Sequence, residues 1–404
     1  DTAEEHFDFM VVGAGSAVCA LSFRIASKSR LKVLLVEAGS RAGNPLLHIP
    51  LGFAFLLKDH KNNWSYSTQP EKFLDQRSVD LPRGKVLGGC SAINGMVYVR
   101  GLAADYDHWS ALGNEGWSYR EVLPYFKRSE NHHDGASEYH GAGGPLWVGA
   151  VDNEFPICDA FMEAAQQAGH RLNPDINGAS QEGVGYFPTN IRRGMRLSSA
   201  SAFLKPARNL ENLRVVTNTT TRRVLLNGKR ATGIECSVKG QRRKYYANQE
   251  VILCAGAINS PKILELSGIG QAERLARHQI PVVHHLPGVG ENLQDHWNCY
   301  LKRSVDSGAT YYSESQPTAM LRNLWRYLLR RQGFLGNPAA LVTVFYKAAA
   351  GADRADAQIH FAPAASNVDE RGNLVPIDGI TIASCGVRPS SRGATHIASS
   401  DACE

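Results

Sequence analysis

The chain has 404 residues, 43% of them hydrophobic, so it can bury a large core, and its length favours two domains. Its 44 basic and 38 acidic residues are spread without a basic stripe, which argues against nucleic-acid binding. No apolar run is long enough to span a bilayer or to act as a signal-peptide core. The composition predicts a cytoplasmic protein without a transmembrane segment, and leaves peripheral membrane association and a homo-oligomer open.

The cysteines and histidines do not form a metal-ligand pattern. Eight cysteines are scattered without a CxxC pair and without a cluster with histidine. This spacing argues against a disulfide framework and against a zinc site. The adjacent pair His284 and His285 also lacks ligand spacing, and we interpret it as solvated. We therefore expect reduced thiols and no metal ion.

The N-terminal segment follows a strand, turn, helix, strand pattern. Residues 7–12 are typical of a buried strand and are followed by a glycine-rich turn. A helical pattern then runs to Ile25, and residues 31–36 form a second apolar run. Such a unit joins parallel strands through a right-handed crossover. The pattern predicts an α/β fold with a Rossmann-like nucleotide-binding sheet.

The turn after the first strand has the features of a dinucleotide site. Gly13 and Gly15 let the backbone approach a pyrophosphate, Ser16 lies in the same turn, and the helix that follows this turn directs its N-terminal N–H groups at that anion. Glu37, at the end of the second strand, is positioned to accept hydrogen bonds from a ribose hydroxyl. The alternative is an ordinary glycine turn with a solvated Glu37. The flanking strands favour the dinucleotide site, and an acidic ribose partner disfavours NADP.

One position departs from the dinucleotide fingerprint. Val18 occupies the place of the third glycine, which permits close packing of the helix on the strand. The added bulk predicts a helix that stands off slightly and a weaker nucleotide site, so that Val18→Gly should tighten binding.

The remainder of the chain predicts a second strand–turn–helix unit, followed by a region of antiparallel strands. Residues 251–253 form an apolar strand, followed by a turn and a helix predicted to begin at Pro261. Beyond residue 298 an arginine-rich helix precedes two alternating stretches that predict antiparallel strands. We therefore predict a nucleotide-binding domain over residues 1–298, with excursions near 44–82 and 152–190 towards the substrate side, and a substrate-binding domain over 299–404.

Two long stretches carry a family resemblance. Residues 83–98, RGKVLGGCSAINGMVY, and residues 256–270, GAINSPKILELSGIG, resemble the two signatures of the glucose-methanol-choline (GMC) oxidoreductases. Shorter matches follow the family's order at residues 107–109, 116–118, 123–126 and 286–296. The resemblance covers essentially the whole chain. It implies an FAD-binding Rossmann-like domain with a second, antiparallel-sheet substrate domain, α+β overall, whose C-terminal part lies beyond this sequence.

The resemblance also implies which residues hold FAD. Glycines 88 and 89 would let the backbone pass close to the isoalloxazine, and residues 94–97 would offer backbone groups to the flavin. Val224 would meet the adenine through its backbone, and Asp295 would help to place the flavin. The alternative for each glycine is an ordinary turn, and for Val224 a core position. The residues implied are Val86, Gly88, Gly89, Asn94, Gly95, Met96, Val97, Val224, Ala255, Gly256 and Asp295.

Two positions in the first signature bear on how FAD is attached. Some members carry a histidine immediately before the loop asparagine and bind FAD covalently through it. Here that residue is Ile93, which predicts non-covalent FAD. Cys90 departs from the more usual small hydroxyl residue, and we expect it to be a buried small residue rather than a redox centre.

The resemblance implies oxidation of a primary alcohol to an aldehyde, with hydride passing to flavin N5 and a histidine taking the hydroxyl proton. The family places that histidine in an HxxGT motif, followed later by an asparagine or histidine. Both are expected beyond Glu404, so no catalytic residue is assigned and residues 1–404 alone are expected to be inactive. A non-catalytic, truncated FAD-binding fragment is the alternative. The region of residues 341–345 lacks the glutamate of choline-handling members, which favours a neutral alcohol, with choline as alternative and a quinone, cytochrome or oxygen as electron acceptor.

Overall fold

A computed structural model describes residues 5–151, 155–306, 310–369 and 374–402. Within these residues the strands, in chain order, are β1 (His6–Val12), β2 (Val33–Val36), β3 (Tyr66–Ser67), β4 (Asp80–Leu81), β5 (Glu130–His132), β6 (Leu146–Val148), β7 (Gly183–Tyr186), β8 (Ile191–Arg192), β9 (Met195–Arg196), β10 (Leu213–Val216), β11 (Thr219–Asn227), β12 (Arg230–Val238), β13 (Gln241–Leu253), β14 (Ile269–Gly270), β15 (His284–His285), β16 (Asn298–Ser304), β17 (Val342–Tyr346), β18 (Ala357–Ala362), β19 (Ala365–Val368), β20 (Leu374–Ile377) and β21 (Gly379–Gly386).

The α-helices are mostly short and surround two sheets. In chain order they are α1 (Ser16–Lys28), α2 (Phe53–Leu56), α3 (Ala103–Ala111), α4 (Tyr119–Ser129), α5 (Pro156–Gln167), α6 (Gly256–Leu266), α7 (Ala272–Arg277), α8 (Tyr311–Ser315) and α9 (Pro317–Arg330). No helix among the described residues is both long and apolar enough to cross a membrane.

The first sheet has six strands in the order β10-β2-β1-β13-β12-β11. The first four strands of this order are parallel, and β12 and β11 join antiparallel. Strand β2 is buried along its whole length because α1 packs on Val33 and Leu35, while Leu34 and Val36 lie in an apolar cluster on the opposite face, as expected for parallel strands with apolar sequences. The predicted Rossmann-like α/β unit is therefore confirmed.

The boundaries of α6 differ from the prediction. The helix begins at Gly256, five positions before Pro261, which lies inside it. The prediction treated residues 255–257 as a turn that precedes the helix. Gly256 starts the helix with φ +87°, and Ser260 Oγ accepts a hydrogen bond from the Ala255 N–H at 3.0 Å. The N-terminus of α6 is thereby brought next to the turn between β1 and α1.

The second sheet has five antiparallel strands in the order β16-β21-β18-β17-β7. One face packs on α5 and α9 through Val342, Val344 and Phe361, which are buried. Strand β7 comes from the part of the chain before residue 190, whereas the other four strands follow residue 297. The predicted antiparallel second sheet is therefore present.

Candidate dinucleotide site

A cavity of about 440 Å³ lies at the carboxyl ends of β1 and β2, between the N-termini of α1 and α6. Ligands of open α/β sheets bind at this edge. Several residues predicted from the sequence to hold the cofactor line the cavity, namely Gly13, Gly15, Ser16, Glu37, Gly89, Ala255 and Gly256.

Glycines shape the floor of the cavity through close backbone contacts. Gly13 has φ +92°, and a Cβ there would lie 2.7 Å from the carbonyl oxygen of Cys254. A Cβ on Gly89 would lie 2.7 Å from the Cα of Gly15. A Cβ on Gly15 would touch no protein atom, so it would project into open space. Side chains at Gly13 and Gly89 are excluded by the fold, whereas the space at Gly15 is left for a ligand.

Two helix N-termini face the same cavity. The first-turn N–H groups of an α-helix have no partner within the helix and carry a partial positive charge. Neither α1 nor α6 has an acidic residue in its first turn or a side chain that caps it. Ser16, Ala17, Ala257 and Ile258 line the cavity from these two turns. The donor set therefore fits a pyrophosphate.

Glu37 is buried at the cavity wall and is held by the backbone. Its Oε2 accepts the Ala14 N–H and its Oε1 accepts the Gly39 N–H, both at 2.8 Å. Burial raises the pKa of the Glu37 carboxyl, and the two backbone hydrogen bonds oppose that rise. Each carboxylate oxygen keeps a further lone pair, so the group fits two vicinal ribose hydroxyls.

Val18 is fully accommodated in the core beneath the turn. Its side chain is 2% exposed and belongs to an apolar cluster with Val11, Val33 and Leu35. Replacing it by glycine would leave a void and weaken α1. The packing therefore gives no reason to expect the tighter nucleotide binding that the sequence predicted for Val18→Gly.

The outer wall of the cavity is aromatic and polar. Trp64 and Tyr66 stack with ring centroids 5.7 Å apart, and the Tyr66 hydroxyl donates to Asn259 Oδ1 at 2.7 Å. Burial raises the pKa of Tyr66 to about 12, so the phenol stays protonated. The sequence assigned no cofactor role to Trp64 or Tyr66, because they lie in the irregular segment 44–82. Their spacing of two residues, which lets two aromatic rings lie on one side of the chain, was the available signal.

Val224 does not line the cavity. Its N–H donates to Ser267 Oγ at 2.8 Å, which occupies the backbone donor that the resemblance assigned to adenine. Thr219 and Thr221, earlier on the same strand β11, line the cavity instead. The structure thus brings a different part of β11 to the site, and the contact between Val224 and adenine stays a prediction.

The loop that the resemblance assigns to the flavin leads away from the cavity. The Gly88 N–H donates to the Ala14 carbonyl at 2.8 Å, which ties the loop to the β1 turn. Val86 is buried and pairs with Ser40, and the Ile93 side chain is buried in the same apolar cluster as Val86. Ile93 offers no nucleophile for a flavin.

Residues 94–97 connect the cavity region to the second sheet. Met96 has φ +64°, and Asn94 Oδ1 accepts its N–H at 3.1 Å. A Cβ on Gly95 would lie 2.7 Å from the Ala339 Cβ, and Val97 pairs with Thr189. The predicted flavin loop therefore contacts segments that adjoin strands β7 and β17 of the second sheet, although these residues do not line the cavity itself.

Arg196 forms hydrogen bonds with this loop and with the turn before it. Its guanidinium is buried, donates to Asn94 Oδ1 at 2.8 Å and to the Ser91 carbonyl at 3.2 Å, and leaves Nε and Nη2 without a partner among the described residues. Burial lowers the pKa of Arg196 to about 10. No role was predicted for Arg196, because nothing in the neighbouring sequence distinguishes it from the exposed Arg192 and Arg193.

The structure contradicts the prediction for Cys90 and does not test the one for Asp295. Cys90 is exposed and lines the cavity, so the prediction of a buried residue is wrong; the 3-10 turn Gly89–Ala92 turns its side chain outwards. Asp295 is exposed and lies outside the cavity lining, but its carboxylate pairs at 3.2 Å with Arg83, which lines the cavity. Its role in placing the flavin stays a prediction.

The other side of the second sheet carries polar residues beside the buried Phe345, which packs in a smaller apolar cluster, and we call this side the polar face. Thr343, Gln358 and His360 lie on this face, and Gln358 Nε2 donates to Thr343 Oγ1 at 3.3 Å. The His360 ring stacks on Phe187 at 5.2 Å, and burial lowers the pKa of His360 to about 4, so the imidazole is neutral near pH 7. His360 had drawn no attention in the sequence. Its position between two apolar residues of a predicted strand was the signal.

A buried ion network holds the loop that leads into β7. Glu130 accepts from Arg100 at 2.8 Å and from His140 Nδ1 at 3.1 Å, and His140 Nε2 lies 2.9 Å from Asp175 Oδ2. The hydrogen bonds to Asp175 and Glu130 raise the pKa of His140 to about 9. His140 is therefore protonated at neutral pH and has a structural role.

The cavity, the glycine turn and Glu37 define a dinucleotide-binding protein. Residues 7–298 match the family model of the GMC oxidoreductases, and the chain belongs to that family. It is 42% identical over 384 residues to the mitochondrial choline dehydrogenase of Homo sapiens, covering 92% of this chain and 64% of that protein. It is 41% identical over 362 residues to the oxygen-dependent choline dehydrogenase of Brucella suis, covering 90% and 66%. The chain thus spans about two thirds of the length of these relatives.

Solved structures agree with this assignment. A formate oxidase superposes with a TM-score of 0.89 at 26% identity, covering 100% of this chain and 76% of the other. Pyridoxine 4-oxidase from Mesorbium loti superposes with a TM-score of 0.85 at 26% identity, covering 98% and 74%. The GMC fold is confirmed, and FAD is the cofactor of this family.

Proposed function

We propose that the cavity between α1 and α6 binds the ADP half of FAD non-covalently. The observation that supports this most directly is the convergence of two uncapped helix N-termini and the buried Glu37 on one cavity. Gly13, Gly15 and Ser16 would face the pyrophosphate, and Glu37 the ribose. The flavin half would continue past Gly89 towards residues 94–97.

The proposed reaction is oxidation of a primary alcohol to an aldehyde. Bound FAD supplies the acceptor for the hydride that leaves the alcohol carbon. The residues of this chain would orient the substrate on the polar face of the second sheet, where neutral His360 and Gln358 can exchange hydrogen bonds with a hydroxyl. An imidazole with so low a pKa is a weak proton acceptor, so we assign His360 to orientation and not to proton abstraction.

The domain division follows from this assignment as part of the proposal. Residues 1–298 would form mainly the FAD-binding domain, and residues 299–404 would belong to the substrate-binding domain. Strand β7, from the earlier excursion, pairs with β17 and would serve the substrate side. The loop of residues 94–97 would then bring the flavin to the border of both.

The substrate class is proposed from the charges of the second sheet. None of the strands β7, β16, β17, β18 and β21 carries a carboxylate, so no acid on this sheet can pair with a cationic substrate. A neutral alcohol fits this surface. Choline is the second candidate, favoured by the names of the two relatives and by the exposed ring of Tyr300, which could meet a quaternary ammonium.

Reduction of the bound flavin by substrate tests this function. The FAD-loaded protein, expressed to its natural stop codon, is mixed anaerobically with a series of primary alcohols and with choline, in parallel with residues 1–404 alone, and the oxidised flavin absorbance is followed. For the protein expressed to its stop codon we expect bleaching by neutral primary alcohols and slower bleaching by choline, whereas residues 1–404 alone should not be bleached at a comparable rate, because no residue among them is assigned as the base. Bleaching by choline alone would reverse the substrate assignment, and no bleaching by any alcohol would refute the proposed reaction in favour of a non-catalytic FAD-binding protein.

The electron acceptor is tested in the same experiment. Oxygen is then admitted to one portion of the reduced protein, and a soluble quinone or cytochrome c to others. One Brucella relative is named as oxygen-dependent, which favours oxygen. Rapid return of the flavin absorbance with oxygen is the expected result, and reoxidation only by the quinone or the cytochrome would contradict it.

A further inference from the structure

Helix α9 has apolar residues on the side that faces away from the protein. Asn323 and Tyr327 are buried and mark the inner side of the helix. Leu321, Trp325 and Leu329 lie on the opposite side and are 60%, 59% and 75% exposed. A surface helix of a globular protein normally turns its polar residues outwards. In α9 the outward side is apolar.

A row of arginines borders this apolar side. Arg322, Arg326 and Arg330 are spaced four residues apart, so they follow one edge of the helix. The sequence of α9 contains no aspartate or glutamate. Arg322 pairs at 2.7 Å with Glu314 in the preceding helix. We call the surface formed by these arginines and by Leu321, Trp325, Leu328 and Leu329 the α9 face.

The hairpin of β8 and β9 lies next to α9. The Tyr327 hydroxyl donates to the Gly194 carbonyl at 2.8 Å, which places the hairpin turn beside the inner edge of α9. The hairpin adds two exposed arginines, Arg192 and Arg193, and the exposed Met195. Basic charge and exposed apolar groups therefore occur together on adjoining elements.

We propose that the α9 face docks the protein on a membrane surface that contains anionic phospholipid. A helix with leucine and tryptophan on one side and arginines along its border can lie in the plane of the headgroups, with the apolar side chains inserted and the guanidiniums on the phosphates. A second copy of the chain would add more arginines and no carboxylate from α9. The charge of the face therefore favours an anionic partner.

Vesicle sedimentation tests the proposal. The FAD-loaded holoprotein is mixed with vesicles of phosphatidylcholine alone or with added phosphatidylglycerol, and the bound fraction is measured after centrifugation. We expect binding to the anionic vesicles that high salt weakens, since each arginine contributes about 1 kcal/mol, or roughly fivefold, near such a surface. Trp325→Gln with Leu329→Gln should weaken binding about tenfold or more, and Arg330→Gln about fivefold.

Matched controls lie elsewhere on the surface. Leu112→Gln removes an equally exposed leucine at the end of α3, and Arg30→Gln removes an exposed arginine after α1; both should bind vesicles as the parent does. Absence of binding to anionic vesicles overturns the proposal, as does an equal loss in Leu112→Gln. Self-association without lipid that Trp325→Gln with Leu329→Gln abolishes would also overturn it, by assigning the face to a second copy.

Discussion

The dinucleotide cavity and the polar face of the second sheet are built from different kinds of contact. The floor of the cavity is formed by backbone groups, and Gly13 and Gly89 lie where no side chain fits. The sheet face is formed by side chains such as Gln358 and His360, held on strands of unremarkable sequence. A site made of backbone constrains residue type tightly at a few positions. A site made of side chains on a regular strand leaves only an alternating pattern of residues in the sequence.

The largest effect is expected at Gly13, and its absence would contradict the claim that backbone groups form the floor of the cavity. An alanine there must adopt φ +92° and would meet the Cys254 carbonyl, which costs about 1–3 kcal/mol of stability. The turn would shift, and FAD should bind about a hundredfold more weakly, equivalent to about 2.7 kcal/mol. Thermal unfolding of the apoprotein and titration with FAD measure the two effects.

Substitutions at Gly15 and Gly288 distinguish the effect of backbone strain from the effect of lost space for the ligand. Gly15→Ala should leave the stability of the apoprotein unchanged and still weaken FAD binding, because the added methyl meets only open space in the cavity. Gly288→Ala, at an exposed and open position, should change neither quantity. If Gly13→Ala and Gly288→Ala behave alike, backbone geometry does not build this site.

The next largest effect is expected at His140, because side chains and not backbone groups hold the loop before β7. The pKa of His140 is raised to about 9, so its stabilisation is complete below the unfolded pKa of 6.5 and is lost as the pH rises through 9. We expect the free energy of unfolding to fall by about 2–3 kcal/mol across this window.

Denaturant unfolding at several pH values measures this dependence. His140→Gln should be less stable at pH 6 and should lose the fall between pH 6.5 and 9, because the titrating group is gone. His133→Gln, at a neighbouring but exposed histidine, should retain it. An unchanged pH profile in His140→Gln would show that other groups produce the dependence.

A smaller effect is expected at Val18, where the structure predicts a loss of stability and not the tighter nucleotide binding predicted from the sequence. Val18→Gly should destabilise the apoprotein by about 2 kcal/mol, because it removes buried volume and adds a helical glycine. Its FAD affinity should not increase. Tighter FAD binding in calorimetric titration would restore the prediction that the valine holds the helix away from the strand.

The smallest effect is expected at Asp295. Its ion pair with Arg83 joins two largely exposed side chains, and such pairs contribute about 0–1 kcal/mol. Asp295→Asn should therefore leave FAD affinity within about threefold of the parent. A loss of tenfold or more would assign Asp295 the flavin-placing role that the family resemblance implies.

These residues show how far the sequence could be interpreted. Gly13, Gly15 and Glu37 were predicted because the turn between parallel strands demands those residue types at that spacing. Trp64, Tyr66 and Thr221 were not, because they reach the cavity from an irregular segment and a strand edge, where tertiary packing decides position. The predicted start of α6 at Pro261 was wrong because residues 255–257 were taken as a turn, whereas the helix begins within that stretch at Gly256.

The central claim is that the cavity holds the ADP half of FAD, and competition among nucleotides tests it most directly. Apoprotein is titrated calorimetrically with FAD, ADP and FMN, each alone and then in competition. The cavity geometry predicts that ADP binds and competes with FAD, that Gly15→Ala weakens both, and that FMN binds far more weakly than FAD. FMN binding as tightly as FAD, with ADP failing to compete, would contradict the account.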